Sequence, residues 1–335
     1  VKVVIADSNL LPHRARFEDR VASDIELSWH DKFDVDAIAA DIADATVYVG
    51  GKFPAALAEA SPELRLVHVA GAGTDGVAFD ALSSQTLVAN TFHHERSIAE
   101  YVAATAVVLR RGFLEQDRQL REERWASPVY DRTLRQSSSL GSATVGFVGF
   151  GHIGAQSWAL LRAFGCTGIA VTGRGSVNAA ENGLAWAAST DRLFDLMTEA
   201  DVVVVSAPLN EHTTGMIGAT ELAALGSDGV LINVGRGPLV HQDALYEALS
   251  TGSLGGAAID VWYDYPSADG IGAPSPRPFH TLPNILMTPH SSGITGETFQ
   301  GRVDDITANI GRLAAHQPLI NVVAGENFTV EAAIS

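Results

Sequence analysis

Residues 143–165 read as a strand, a glycine-rich turn and a helix in unbroken succession, and few folds accept that arrangement. The apolar run ATVGFV leads into Gly149-Phe150-Gly151-His152-Ile153-Gly154, which opens the amphipathic run AQSWALLRAFG. Alone, a glycine hexamer of this spacing also arises in ordinary turns. Between a strand and a helix it is the dinucleotide-binding fingerprint. Gly149 then permits the tight turn, Gly151 lets the backbone approach a pyrophosphate, and Gly154 lets helix and strand pack closely. The pyrophosphate rests on free N–H groups where His152 and Ile153 begin the helix, at the positive end of its dipole. The competing reading is a strand–turn–helix with a purely structural role.

The end of the following strand reports on the cofactor. An NAD site places Asp or Glu about 20 residues on, facing the ribose 2′-hydroxyl. Here the strand ends Val171-Thr172-Gly173-Arg174, without a carboxylate. Arg174 suits a 2′-phosphate and Thr172 can donate a hydrogen bond to it, so NADP(H) is favoured over NAD(H). The alternative is that Arg174 is a solvated loop arginine.

Short β-branched runs alternate with segments of helical period along the whole chain, which argues for α/β architecture with parallel sheets. Strands are expected at 3–6, 46–49, 64–69, 144–149, 168–172, 201–206, 229–233, 255–260 and 284–287. Helices are expected at 97–111, 153–164, 243–249 and 296–315, with Gly112 and Gly252 as stops. Residues 115–135 read as charged and irregular, with 115–124 a solvated helical face, and 327–335 carry no strong signal. A length of 335 residues, 46% of them hydrophobic, fills about two domains. A formal charge of −17 without a basic cluster argues against nucleic-acid or anionic-membrane binding. No apolar stretch is long enough for a membrane span, no leader pattern opens the chain, and Cys166 has no second cysteine to pair with. Together these make a cytoplasmic protein the expectation.

The segment 140–154 resembles the cofactor segment of the D-isomer-specific 2-hydroxyacid dehydrogenases. So do Ala207-Pro208-Leu209 with Thr213-Thr214-Gly215, Asn233-Val234-Gly235-Arg236-Gly237, Ala258-Ile259-Asp260-Val261 and Thr288-Pro289-His290, in the family's order and spacing. The resemblance implies two Rossmann-like, doubly wound domains with a cleft between them. The dinucleotide domain would span 96–296, and a flavodoxin-like substrate domain 1–95 with 297–335. It implies a homodimer and hydride transfer between NAD(P)H and a small 2-keto or 2-hydroxy acid. It also implies a cofactor role for Ala207, Pro208, Thr213 and Val234. Arg236 is implied as the carboxylate clamp, His290 as the acid/base and Asp260 as a contact to the nicotinamide amide. A strand-end Asp capping a turn is the alternative for Asp260.

One position departs from the family. Where its members carry the Glu that hydrogen-bonds the histidine, this chain has Tyr265, with Asp264 one residue earlier. Tyr265 can orient an imidazole but adds no negative charge to favour imidazolium; a local shift would bring Asp264 to the task instead. The wording DVWYDYP also resembles formate dehydrogenases, which abstract hydride without a proton acceptor. A catalytically silent, NAD(P)-sensing regulator is a third reading. In the first domain, Gly71, Ala72 and Gly73 form a turn whose N–H groups can hold the substrate carboxylate. His93-His94-Glu95 lack a second pair at ligand spacing and read as a solvated loop, with no metal site.

Overall fold

The computed structural model describes residues 1–267 and 270–325; the expected signal-free segment 327–335 lies outside them. The strands are β1 (Lys2–Ile5), β2 (Glu26–Trp29), β3 (Val47–Val49), β4 (Leu66–His68), β5 (Leu87–Ala89), β6 (Thr144–Val148) and β7 (Thr167–Thr172). They continue as β8 (Trp186–Ser189), β9 (Val202–Val205), β10 (Val230–Asn233), β11 (Gly256–Ile259), β12 (Ile285–Met287) and β13 (Val322–Ala324). The chain forms two compact units, Val1–His94 with Ile294–Ser335, and Glu95–Gly293.

In the first unit the sheet runs β13-β5-β4-β3-β1-β2. Its first five strands are parallel in flavodoxin-like order, and β13 adds antiparallel to β5. Alternate residues of β1 fill opposite cores: Val3 and Ile5 join Phe17, Phe299 and Ile306, while Val4 joins Ile38, Leu57 and Val67. That two-sided burial is why the strand is apolar at successive positions. The buried His68 of β4 lies 3.2 Å by Nδ1 from the Val69 carbonyl and 3.0 Å by Nε2 from the Asn309 amide. Asn309 in turn holds both the N–H and the carbonyl of Ile320. One neutral imidazole therefore joins a central strand to the final helix, Gly296–Ala314, and to the segment entering β13.

In the second unit seven parallel strands run β12-β11-β10-β9-β6-β7-β8. Direction of growth reverses between β6 and β9, the topological switch point at whose carboxyl ends doubly wound sheets bind ligands. Val203 and Val205 face one core while Val202 and Val204 face the other, and both sheet faces are covered. The long helix expected at 97–111 is observed as Glu95–Arg110, stopped by Gly112 at φ +65°. The solvated helical face expected at 115–124 is observed as the helix Phe113–Arg121, with Arg118 paired to Glu115 and Glu122 and Arg121 to Asp117. Cys166 packs against the core with its thiol donating to the Leu140 carbonyl, and burial pushes its pKa up. Among the described residues no helix is long and apolar enough to cross a membrane.

Burial holds the His68 imidazole neutral down to about 4, against an ordinary value of 6.5. Above 6.5 it is neutral folded or unfolded and contributes no pH dependence. As pH falls from 6.5 towards 4 only the unfolded chain takes the proton, so stability is lost across that window, by about 3 kcal/mol in total. Urea unfolding at pH 7 and pH 4.5 should show this loss. His68→Gln should flatten the dependence; an equally steep loss in that variant would assign it elsewhere.

Candidate active site

The glycine turn sits at the switch point. Gly149 adopts φ +92°, and a Cβ there would lie 2.6 Å from the Ala207 nitrogen at the end of β9. A Cβ on Gly154 would lie 2.8 Å from the Gly149 carbonyl, so the helix His152–Leu161 can pack this close only with glycine. Around Gly151 a Cβ would meet nothing within 4 Å, and no side chain caps this helix. Its first N–H groups are therefore open to an anion, and the residues present fit a dinucleotide pyrophosphate. His152 stands exposed with Nδ1 3.9 Å from Oε1 of Glu95, a largely buried carboxylate.

Neighbouring turns complete this edge. The Ser206 hydroxyl donates to the Gly149 carbonyl, and the Thr213 hydroxyl to that of Pro208, closing the loop after Ala207. Val234 continues the ladder from β9 through its N–H to the Val205 carbonyl. Beyond β7, the Gly175 N–H donates to Thr172 Oγ1 and sets the turn through Gly173 and Arg174. Arg174 is exposed and forms no hydrogen bond or ion pair among the described residues.

The acid/base candidates gather after β10, β11 and β12. Asn233 accepts from the Gly235 N–H and donates to the Arg236 carbonyl, fixing the turn that carries Arg236. A Cβ on Gly237 would lie 2.3 Å from the Trp262 carbonyl, so this turn packs directly on the chain leading to Tyr265. Tyr265 places its hydroxyl 2.9 Å from His290 Nδ1, and Trp262 N–H donates to that oxygen at 3.4 Å. Asp264 is exposed, and its side chain makes no hydrogen bond among the described residues. His290 has φ +56°, a left-handed conformation costing a non-glycine residue roughly 1–3 kcal/mol.

Asp260 holds that conformation. Its buried carboxylate accepts from the Thr288 hydroxyl at 2.6 Å and from the N–H groups of Ser291 and Ser292 at 2.9 and 3.1 Å, and also from the Ser292 hydroxyl. Tyr101 reaches Thr288 Oγ1 at 3.0 Å, and Trp262 Nε1 donates to the Thr288 carbonyl. The turn-capping alternative describes these contacts. Nothing local in the sequence announced them, because the partners come from different strands. Burial lowers the pKa of His290; Arg236 lowers it further, while Asp260 opposes both. Burial raises the pKa of Tyr265, with Arg236 opposing, so its hydroxyl is protonated at neutral pH.

In the first unit, the N–H groups of Gly71, Ala72 and Gly73 find no partner among the described residues. Their carbonyls are occupied, Gly71 by the Thr91 N–H and Ala72 by the Asn90 amide. The Arg302 guanidinium lies 3.7 Å from the position of a Cβ on Gly71, a cation beside unused donors that the sequence did not reveal. Residues 93 and 94 lie in a loop before the helix, as expected, with His93 exposed, but the loop is fastened to its surroundings. His93, at φ +72°, bonds Asp305 at 2.8 Å and packs on Gly301, and Glu95 starts a helix. Among the described residues no group of three or more His, Cys, Asp or Glu is placed to hold a metal ion.

Residues 103–292 match the model of the D-isomer specific 2-hydroxyacid dehydrogenase NAD-binding domain. The chain belongs to that family. It is 31% identical over 261 residues to the glyoxylate/hydroxypyruvate reductase B of Yersinia enterocolitica, covering 76% of each chain. To the glycerate dehydrogenase of Methylorubrum extorquens it is 29% identical over 271 residues, covering 77% of this chain and 78% of that one. The solved NADPH-dependent glyoxylate/hydroxypyruvate reductase of Sinorhizobium meliloti superposes with TM-score 0.77 at 26% identity, over 96% of this chain and 97% of that one. This 2-hydroxyacid dehydrogenase is thus an NAD(P)-dependent oxidoreductase moving hydride between the nicotinamide and a small 2-keto or 2-hydroxy acid.

The pairing separates two residues that adjoin in sequence. Tyr265→Phe should lower kcat for keto-acid reduction by about tenfold or more, whereas Asp264→Asn should stay within about twofold of wild type. The reverse order in steady-state assays would make Asp264 the partner. With the His290 pKa lowered, imidazolium is present only below the ordinary histidine range. Reduction should therefore quicken as pH falls through a midpoint below about 6.5. A kcat/KM profile flat from pH 5 to 9 would contradict this.

Proposed function

We propose that this dehydrogenase is an NADPH-preferring reductase of small 2-keto acids, of the glyoxylate and hydroxypyruvate kind, with Arg236, His290 and Tyr265 at the reacting centre. The observation that carries the reading is the Tyr265 hydroxyl at 2.9 Å from His290 Nδ1, with Arg236 close enough to shift both groups. The bound nicotinamide supplies the hydride. Arg236 offers its planar fork to the substrate carboxylate and polarises the neighbouring carbonyl. His290, as imidazolium, gives its Nε2 proton to the keto oxygen, which becomes the 2-hydroxyl.

Tyr265 biases the direction. While His290 is charged, its Nδ1–H donates to the Tyr265 oxygen. Once His290 is neutral, either Nδ1–H donates to that oxygen or the tyrosine O–H donates to Nδ1. A carboxylate partner would permit only the first arrangement. The second leaves the proton on Nε2, where His290 cannot accept one from a 2-hydroxy acid. Oxidation of a 2-hydroxy acid is thereby slowed relative to reduction of the 2-keto acid.

Gly149, Gly151, His152, Ile153 and Gly154 are assigned to the pyrophosphate. Ala207, Pro208, Thr213 and Val234 are assigned to the remainder of the cofactor, and the turn of Gly71, Ala72 and Gly73 to a carboxylate. Arg174, exposed and unpaired, is assigned to the 2′-phosphate with Thr172 and Gly173, and the NADPH dependence of the Sinorhizobium meliloti relative supports this. Arg174→Ala should raise the KM for NADPH about tenfold or more and leave that for NADH nearly unchanged; equal KM changes for both coenzymes would retire the assignment.

The second copy in a homodimer is assigned to the surface around 113–134. Leu120, Trp125, Val129 and Tyr130 are each more than half exposed there, and the rings of Trp125 and Tyr130 pack edge-on at 5.5 Å. Such an apolar cluster on a chain of net charge −17 is an expected association face. Sedimentation equilibrium should give a dimer for the wild type and a shift towards monomer for Trp125→Ser with Val129→Ser. A wild-type monomer would overturn this part.

A further inference from the structure

The first sheet has a switch point of its own. In the order β2-β1-β3-β4-β5 the direction of growth reverses between β1 and β3. Doubly wound sheets take ligands where the strands end beside such a reversal. There β1 leads into Asp7, β3 into Gly50-Gly51 and β4 into Gly71-Ala72-Gly73. The last of these is the turn with open donors. Thr91 and Asn90 occupy the carbonyls of Gly71 and Ala72, which fixes the peptide planes and leaves the three N–H groups for a ligand.

Arg302, half-buried on the helix Gly296–Ala314, reaches this turn within the same unit. Its Nη1 lies 3.7 Å from the position of a Cβ on Gly71. Two covalent bonds of about 1.5 Å separate that position from the Gly71 nitrogen, so Nη1 is within roughly 7 Å of the nitrogen. A carboxylate accepting a bond of about 2.8 Å at each oxygen bridges donors up to roughly 8 Å apart. One carboxylate is therefore large enough to meet the turn and the guanidinium together.

Other contacts hold the guanidinium in place. Its Nε donates to the Phe92 carbonyl at 3.0 Å, and its central carbon lies 5.0 Å from the centre of the Phe299 ring. A carbonyl on the Nε edge and a ring on one face fix the plane of the fork. The carboxylate that acts on Arg302 through space is Asp7. Burial raises the Asp7 pKa, while the N–H and side-chain amide of Asn9, each at 3.0 Å, and the charge of Arg302 oppose that rise. The chain as a whole carries −17 and repels a carboxylate, so an anion site at this edge depends on a full positive charge nearby.

We propose that Arg302 and the N–H groups of Gly71, Ala72 and Gly73 form one carboxylate-binding site carried wholly by the first unit, with Arg302 supplying its charge. This deepens the reductase reading and rests on it for the class of ligand, a small 2-keto or 2-hydroxy acid. The anion site itself needs neither the coenzyme nor any residue of the second unit. A carboxylate therefore binds the coenzyme-free protein, and an uncharged amide of the same shape binds it poorly, because only the carboxylate gains from the guanidinium.

The test is an NMR titration of the whole chain without coenzyme, labelled with carbonyl-13C alanine and 15N-glycine. The glycines that follow an alanine are Gly71, Gly73 and Gly325, so the labelling selects the turn and one control, beside Thr86 at the amino end of β5. D-lactate should shift Gly71 and Gly73 saturably and leave Gly325 in place, and D-lactamide should bind about tenfold more weakly or worse. Arg302→Met should raise the D-lactate Kd about tenfold or more, and Arg302→Lys should restore part of the affinity. Should the methionine variant fail to fold, Arg302→Gln, which keeps a donor for the Phe92 carbonyl, should show the same loss. Unmoved Gly71 and Gly73 in wild type, equal binding of lactate and lactamide, or one Kd for wild type and Arg302→Met would overturn the proposal. Reduction is read separately: shifts at both glycines without turnover on any 2-keto acid would sustain the anion site and defeat the reductase reading.

Discussion

The buried carboxylate of Asp260 is the contact on which the candidate active site depends. An ionised carboxylate removed from water is costly unless its lone pairs are met. Here they are met by two hydroxyls and two backbone N–H groups of the segment after β12. The same bonds hold the chain beyond His290 in place, so the left-handed backbone at His290 is imposed by its neighbours. Hydrogen bonds to a charged group contribute about 1.5–3 kcal/mol each, enough to offset the local strain. The position from which His290 Nδ1 meets the Tyr265 hydroxyl follows from that clamp.

A second constraint is the closeness of backbone to backbone. Gly149 against Ala207, Gly154 against Gly149 and Gly237 against Trp262 are contacts that a single Cβ would break. They draw the ends of β6, β9, β10 and β11 together at one edge of the second sheet. The spacing of glycines along the chain is therefore a record of which loops converge.

This explains which features were legible beforehand. Val202–Val205 is buried at every position and apolar throughout, and Val230–Asn233 is apolar up to its last residue, which is visible in sequence. β2, β8 and β13 lie at sheet edges with half-buried residues, and β5 has three residues beside an edge; none of them stands out as an apolar run. In the site, motif spacing located the glycine turn, Arg236 and His290. It did not reveal Arg302 beside Gly71 or Asp260 as a loop clamp, since these contacts join residues far apart along the chain. The choice between Tyr265 and Asp264 could not be made by alternation, because 262–266 is not a strand. It turns on reach, and the longer phenol spans the gap to Nδ1.

Replacing a carboxylate by a phenol at that reach changes the electrostatics more than the geometry. A carboxylate beside His290 would raise the imidazole pKa and oppose the lowering by burial and Arg236. Tyr265 preserves the hydrogen bond and supplies no charge, leaving Asp260 as the group that raises the His290 pKa. Moving Asp260 nearer would strip the loop of the acceptor that holds it. The site thus divides two tasks usually joined in one acidic side chain: Tyr265 aims the ring, and Asp260 supplies the negative field from behind the loop. Burial lowers the proton affinity of His290 and Asp260, a residue whose first duty is structural, opposes it, so weakening the clamp would disturb His290 in charge and in position together.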